Sequence, residues 1–182
     1  NTSKKTIPAE NFKRDNVDIA IRFGKGDYPG CRVDKLFSVN AIPLCSPRLL
    51  KGKHPLRSPE DLRFHTLLHD DTRYEGRPDW ATWLKAAGVD NVDSTHGVHF
   101  NHVNLALTAA VEGQGVVLSI NALASEDIAA GRLVIPFDLG LPLEYAYYLI
   151  TLEEVTDHPH TAAFRSWLIE EARQEEVLSE SQ

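Results

Sequence analysis

Short apolar runs alternate with stretches of helical period along the chain. The run Val17 to Phe23 predicts a strand, and Leu36 to Leu44 a second extended run closed by CSP at Pro47. His65 to Leu68 predicts a short strand. Pro78 followed by DWATWLKAAG predicts a helix: proline sits early, Trp80, Trp83, Leu84 and Ala87 share a face, and Gly88 ends it. Val98 to Phe100 predicts a strand. NHVNLALTAAVEGQG then predicts a helix, with Asn101 as N-cap and Gly113 as its stop. Val116 to Leu118 predicts a strand, ALASEDIAAG a helix ended by Gly131, and RLVIPF and Tyr145 to Thr151 two more strands. A last helix is predicted from about Pro159, with Asp157 near its cap and Phe164, Trp167, Leu168 and Ala172 on one face. Strands alternating with helices imply an α/β fold with a largely parallel sheet.

Composition narrows the classes. The chain has 182 residues, 42% hydrophobic and 25% charged, enough for one domain or two small lobes. A net charge of −7 argues against a nucleic-acid surface on this chain, because phosphate binding needs clustered Lys and Arg. One stretch runs the other way: RLLKGKHPLR gathers Arg48, Lys51, Lys53, His54 and Arg57, and is read as a solvated loop face. No apolar run of about 18 residues predicts a membrane span, and no secretory signal is seen. With no Met in the sequence, a processed or excised piece of a longer protein is expected. Cys31 and Cys45 are too few for a disulfide framework, so free thiols and a reducing cytoplasm are expected.

Candidate chemistry is sparse. Gly24, Gly26 and Gly30 follow the first strand with the spacing GxGxxxG, which matches neither a Walker loop nor a dinucleotide fingerprint. Pro29 fits a turn better than a helix start. On a strand, His96 and His102 would share a face while His99 points away, and no HExxH or CxxC supports a zinc site. No GxSxG elbow is present, and neither cysteine has a neighbouring base. No catalytic residue, metal or cofactor is therefore expected. What remains is the helix start at Asn101 to Asn104, an anion cradle of a kind that favours small-molecule binding.

Seven motifs occur in order: VDIAIRFGKGDYPG, LFSVNAIPLCSPRLL, PEDLRFHTLLHDD, DWATWLKAAG, LALTAAVEGQGVVLS, GRLVIPF and YYLIT. Together, over about residues 11–173, they resemble the effector-binding domain of LysR-type transcriptional regulators. The likeness is greatest to the branch that includes the glycine-cleavage activator and the β-lactamase-inducing regulator. The resemblance implies an α/β fold like type 2 periplasmic binding proteins: two α/β lobes joined by two crossing strands, with a small-molecule effector in the cleft. Lobe one would hold residues 1–40 and 149–182, and lobe two residues 41–148, with crossings near Ser38 to Ala41 and Tyr148 to Ile150. The first strand and helix of lobe one would be absent from this chain, as would the winged helix-turn-helix. Effector-binding residues carried over by position are Asn11, Arg22, Phe23, Asn101, His102, Val103, Tyr147 and Tyr148. Val103 stands where the β-lactamase regulator has a hydroxyl, a departure that weighs against a peptide-like effector. The resemblance further implies a cytoplasmic dimer or tetramer that reaches promoter DNA and RNA polymerase only through the full-length protein. A periplasmic solute-binding protein is the alternative. An enzyme on a related scaffold would need a reactive cysteine or an acid in the cleft.

Overall fold

The first apolar run forms β1 (Ile19–Gly24), and Gly26 (φ 85°) and Gly30 (φ 76°) turn the chain into β2 (Cys31–Cys45). Both glycines take the left-handed region, so the glycine-rich loop is a turn between strands. The computed structural model describes residues 17–71 and 78–180. Further on come β3 (Leu67–Asp70), α1 (Trp80–Ala86), β4 (Val98–Phe100), α2 (Val103–Val111) and β5 (Val116–Ile120). The chain ends with α3 (Ser125–Ala129), β6 (Leu141–Leu152) and α4 (Pro159–Glu180).

The strands hydrogen-bond in the order β1-β6-β2-β5-β3-β4. The sheet is mixed, not largely parallel. β3 pairs in parallel with β4 and β5, whereas β1–β6 and β2–β5 are antiparallel. Helical crossovers connect the parallel strands, while the long strands β2 and β6 run against β5 and β1 respectively. A second correction concerns RLVIPF. It makes one isolated bridge, Val134 to Cys45, and no strand. Pro136 has no amide to donate, so a ladder cannot continue through it.

The chain divides into two compact units, residues 1–38 with 144–182, and residues 39–143. In the second unit, neighbouring residues of the central strands enter different cores. Leu67, Val116 and Leu118 join Trp80, Trp83, Leu84 and Phe137, while Leu68 and Val117 join Leu44, Ala106, Leu107 and Leu133. A strand buried on both faces must be apolar at successive positions, which is why VVLSI carries no alternation. α1 is fixed by its cap: Asp79 Oδ1 accepts from the Thr82 amide at 2.8 Å. Its two indoles are fully buried yet satisfied, since Trp80 Nε1 donates to the Leu68 carbonyl and Trp83 Nε1 to that of Leu139.

In the first unit, Cys31, Ile150 and Leu152 form a small core with Ala20, Tyr28 and Tyr148. α4 departs from its expected face. Thr161 is buried and Arg165 turns inward to Asp34 of β2 at 3.2 Å, while Phe164 and Trp167 are 47% and 55% exposed. Leu168 and Ala172 are half-buried, so only the two aromatics of the apolar pattern lie outward.

Candidate functional site

Each unit places a group of candidate residues. In the first, the β1–β6 register sets Arg22 opposite Tyr148 and Phe23 opposite Tyr147. Paired residues of an antiparallel ladder share a face and successive residues alternate, so the two pairs lie on opposite sides of the sheet. On one side Tyr147 packs between Phe23 (5.1 Å between ring centroids) and Phe37 (4.9 Å), with Tyr145 also against Phe23. Burial raises the Tyr147 phenol pKa above its ordinary value. On the other side Tyr148 meets Tyr28 edge-on at 6.5 Å, and the Gly26 backbone lies against the Tyr148 ring. Burial raises the Tyr28 pKa as well, and the nearby Arg22 charge opposes part of that shift. One face therefore offers an aromatic wall. The other offers two phenols and an exposed guanidinium, groups that hydrogen-bond oxygen-bearing ligands. Asn11, the remaining candidate here, lies outside the described residues.

In the second unit the candidates gather where β4 passes into α2. The N-cap of α2 is His102, not Asn101, and the His102 side chain makes no capping bond. Asn101 and His102 are both exposed, while Val103 packs against the core beneath α2. The helix thus opens without a side chain on its first amides, and Thr108 bonds back to the Asn104 carbonyl within the helix.

Sequence reasoning missed the neighbouring constellation. His69 and His99 are partners in the parallel β3–β4 ladder, and their rings stack at 4.1 Å with an interplanar angle of 7°. His99 Nδ1 lies 3.1 Å from an Asp71 carboxylate oxygen, and His69 Nε2 donates to the His96 carbonyl at 3.0 Å. His69, His99 and Asp71, with Asp70, Trp80 and Thr95, line a cavity of about 330 Å³. His96 and His102 do not share a strand face, because β4 spans only Val98–Phe100 and both histidines lie outside it. Parallel rings direct their nitrogen lone pairs alongside one another rather than toward a common point. Among the described residues no group of three or more His, Cys, Asp or Glu could hold a metal ion. The motifs LLHD and VHF carried the signal, but only the pairing of β3 with β4 joins them.

The sequence pattern of the LysR substrate binding domain matches residues 8–173. This chain belongs to the LysR substrate-binding domain family. The glycine cleavage system transcriptional activator of Escherichia coli K12 is 43% identical over 167 residues, covering 92% of this chain and 53% of that protein. The transcriptional activator AmpR of Providencia stuartii is 34% identical over 164 residues, 90% of this chain and 53% of the relative. The chain spans about half the length of the curated relatives it matches. Among solved structures, the effector domain of AmpR from Pseudomonas aeruginosa has a TM-score of 0.68 at 31% identity, covering 90% of this chain and 76% of that one. The AmpR effector-binding domain of Citrobacter freundii has a TM-score of 0.69 at 27% identity, covering 90% and 78%. The LysR domain fold expected from the motifs is thus the fold observed, and these relatives, all transcription regulators by name, give the solute-transport alternative no support.

Proposed function

We propose that this LysR-family domain is the small-molecule sensor of a full-length regulator of transcription. The observation that carries the reading is the family match over residues 8–173, joined by two curated relatives named as transcriptional activators. In this reading the sheet face of the first unit that carries Arg22 and Tyr148 meets the effector, backed from the opposite face by Phe23 and Tyr147; Asn101, His102 and Val103 are the effector-binding candidates of the second unit, and Asn11 joins the first group by its position in the sequence. The domain performs no catalysis. Promoter DNA and RNA polymerase are contacted by the full-length protein, which works as a homo-oligomer in the cytoplasm. Effector and operator are coupled because each binds two conformational states with different affinity.

The test is a native mass measurement of the purified full-length protein for a retained small molecule. It is joined to melting curves with a panel of amino acids that includes glycine, a choice prompted by the name of the first relative. A ligand present at 100 times its Kd raises stability by about 2.7 kcal/mol, which is easily seen as a shift in Tm. A protein that no metabolite stabilises, and whose operator binding none alters, is not a sensor.

A further inference from the structure

The stretch from Arg48 to Phe64 belongs to the second unit and plays no part in the proposed effector site. Arg48, Lys51, Lys53, Arg57 and Arg63 are exposed along it, with His54, against only Glu60 and Asp61, in a chain of net charge −7. Asp61 is engaged within the stretch: its Oδ2 accepts from the amides of Ser58 (2.9 Å) and Arg57 (3.1 Å) and from the Ser58 hydroxyl. Among the described residues, none of the five cations is held in an ion pair.

The support beneath these charges is ordered by the sequence itself. Leu56 and Leu62 are buried in the core that holds Trp80 and Trp83. The Leu56 amide donates to the Leu49 carbonyl at 2.9 Å, and the buried Ser46 hydroxyl accepts from the Arg48 amide. His65 Nε2 donates to the His54 carbonyl at 2.9 Å, which ties the two halves of the stretch together. His54 then stacks on Phe64 at 4.4 Å, and the Arg63 guanidinium lies 4.6 Å from the same ring centroid. Phe64 stays 47% exposed and Leu50 37%. Exposed cations outside any ion pair, on the same ordered stretch as exposed Phe64 and Leu50, have the composition of a protein-binding surface, where Arg and aromatic residues supply most of the affinity.

We propose that this surface docks an acidic protein segment that carries apolar side chains among its carboxylates. Its carboxylates would meet Arg48, Lys51, Lys53 and Arg57, and an apolar residue would cover Phe64. A DNA backbone fits less well, because phosphates give Phe64 and Leu50 nothing to bury against, and the acid excess of the chain opposes a polyanion.

The test uses the full-length protein and a fluorescent helical peptide rich in Glu with Leu and Phe on one face. Anisotropy is read for wild type, for the double variant Lys53→Glu/Arg57→Glu and for Phe64→Ser, with melting curves to establish folding. The milder double variant Lys51→Gln/Lys53→Gln serves if charge reversal disturbs folding. Reversal should weaken the peptide by about tenfold or more, and Phe64→Ser by about threefold, with binding falling as salt rises. Peptide affinity unchanged by both double variants makes the stretch a bare solvated face and overturns the proposal. So does a larger loss for a short random DNA duplex than for the peptide, which makes it a nucleic-acid surface.

Discussion

At Gly26 two demands fall on one residue. Its φ of 85° disfavours any side chain, and an added Cβ would sit 2.8 Å from the Tyr148 ring. Gly52 has a φ of 98° with nothing within 4 Å of an added Cβ. Gly26→Ala is therefore expected to cost about 2 to 4 kcal/mol, from strain plus overpacking, and Gly52→Ala about 1 kcal/mol, from strain alone. Equal losses in urea unfolding would show that the Tyr148 contact adds nothing. Cys45 makes a second prediction at this scale. It is fully buried, and burial pushes its thiol from the ordinary 9.0 up to about 11. The folded state keeps the proton where the unfolded state has lost it, so unfolding is favoured as pH rises. The stabilisation is complete below about pH 9 and disappears as pH climbs through 11, a loss of about 2 to 3 kcal/mol. Tyr28 and Tyr147, raised in the same direction, add to the alkaline loss. Unfolding curves from pH 8 to 11 should flatten in Cys45→Ala; an unchanged slope would remove Cys45 from the account.

Among elements, α4 departs furthest from the face its apolar pattern predicts. The sequence places Phe164, Trp167, Leu168 and Ala172 on one apolar face, yet the helix turns Arg165 inward and leaves both aromatics exposed. The Arg165 and Asp34 side chains are 14% and 22% exposed, enough for a real desolvation penalty if either loses its partner. The two ends are not equivalent, because Asp34 also has Arg32 at 3.4 Å. Asp34→Ala strands the buried guanidinium and should cost about 2 kcal/mol; Arg165→Met keeps the aliphatic stem and should cost under about 1 kcal/mol. Matching losses in thermal unfolding would contradict that asymmetry. Elsewhere the elements were legible wherever cap and core agreed in the sequence, as at α1, where Asp79, the two Trp and Gly88 all mark the same helix. Strand pairing was not legible. Nothing in LHDD or VHF announces that β3 and β4 run parallel in the register that stacks His69 on His99. The start of α2 moved to Val103 because the chain at His102 is still extended (φ −137°, ψ 126°).

For the molecule as a whole, the motifs carried the family although no single one carried a chemistry. The residues with the most pronounced local chemistry, the histidine pair and the cationic stretch, lie outside the effector-binding residues that the resemblance carries over. The backbone passes between its two units only within β2 and within β6, at Ser38 to Val39 and Leu143 to Glu144. If the full-length protein is a sensor as proposed, effector and operator are two ligands of one equilibrium, and their coupling must be reciprocal. An effector that changes operator affinity tenfold must have its own affinity changed tenfold by the operator, a coupling of about 1.4 kcal/mol. Asn101→Ala tests where that coupling originates, since Asn101 is exposed and belongs to neither core. The variant should lower affinity for the effector recovered from the native protein by about tenfold while leaving effector-free operator binding unchanged. Anisotropy titrations of labelled operator, with and without effector, measure both. A variant that shifts operator affinity in the absence of effector would place Asn101 in the balance between states and not in the ligand site.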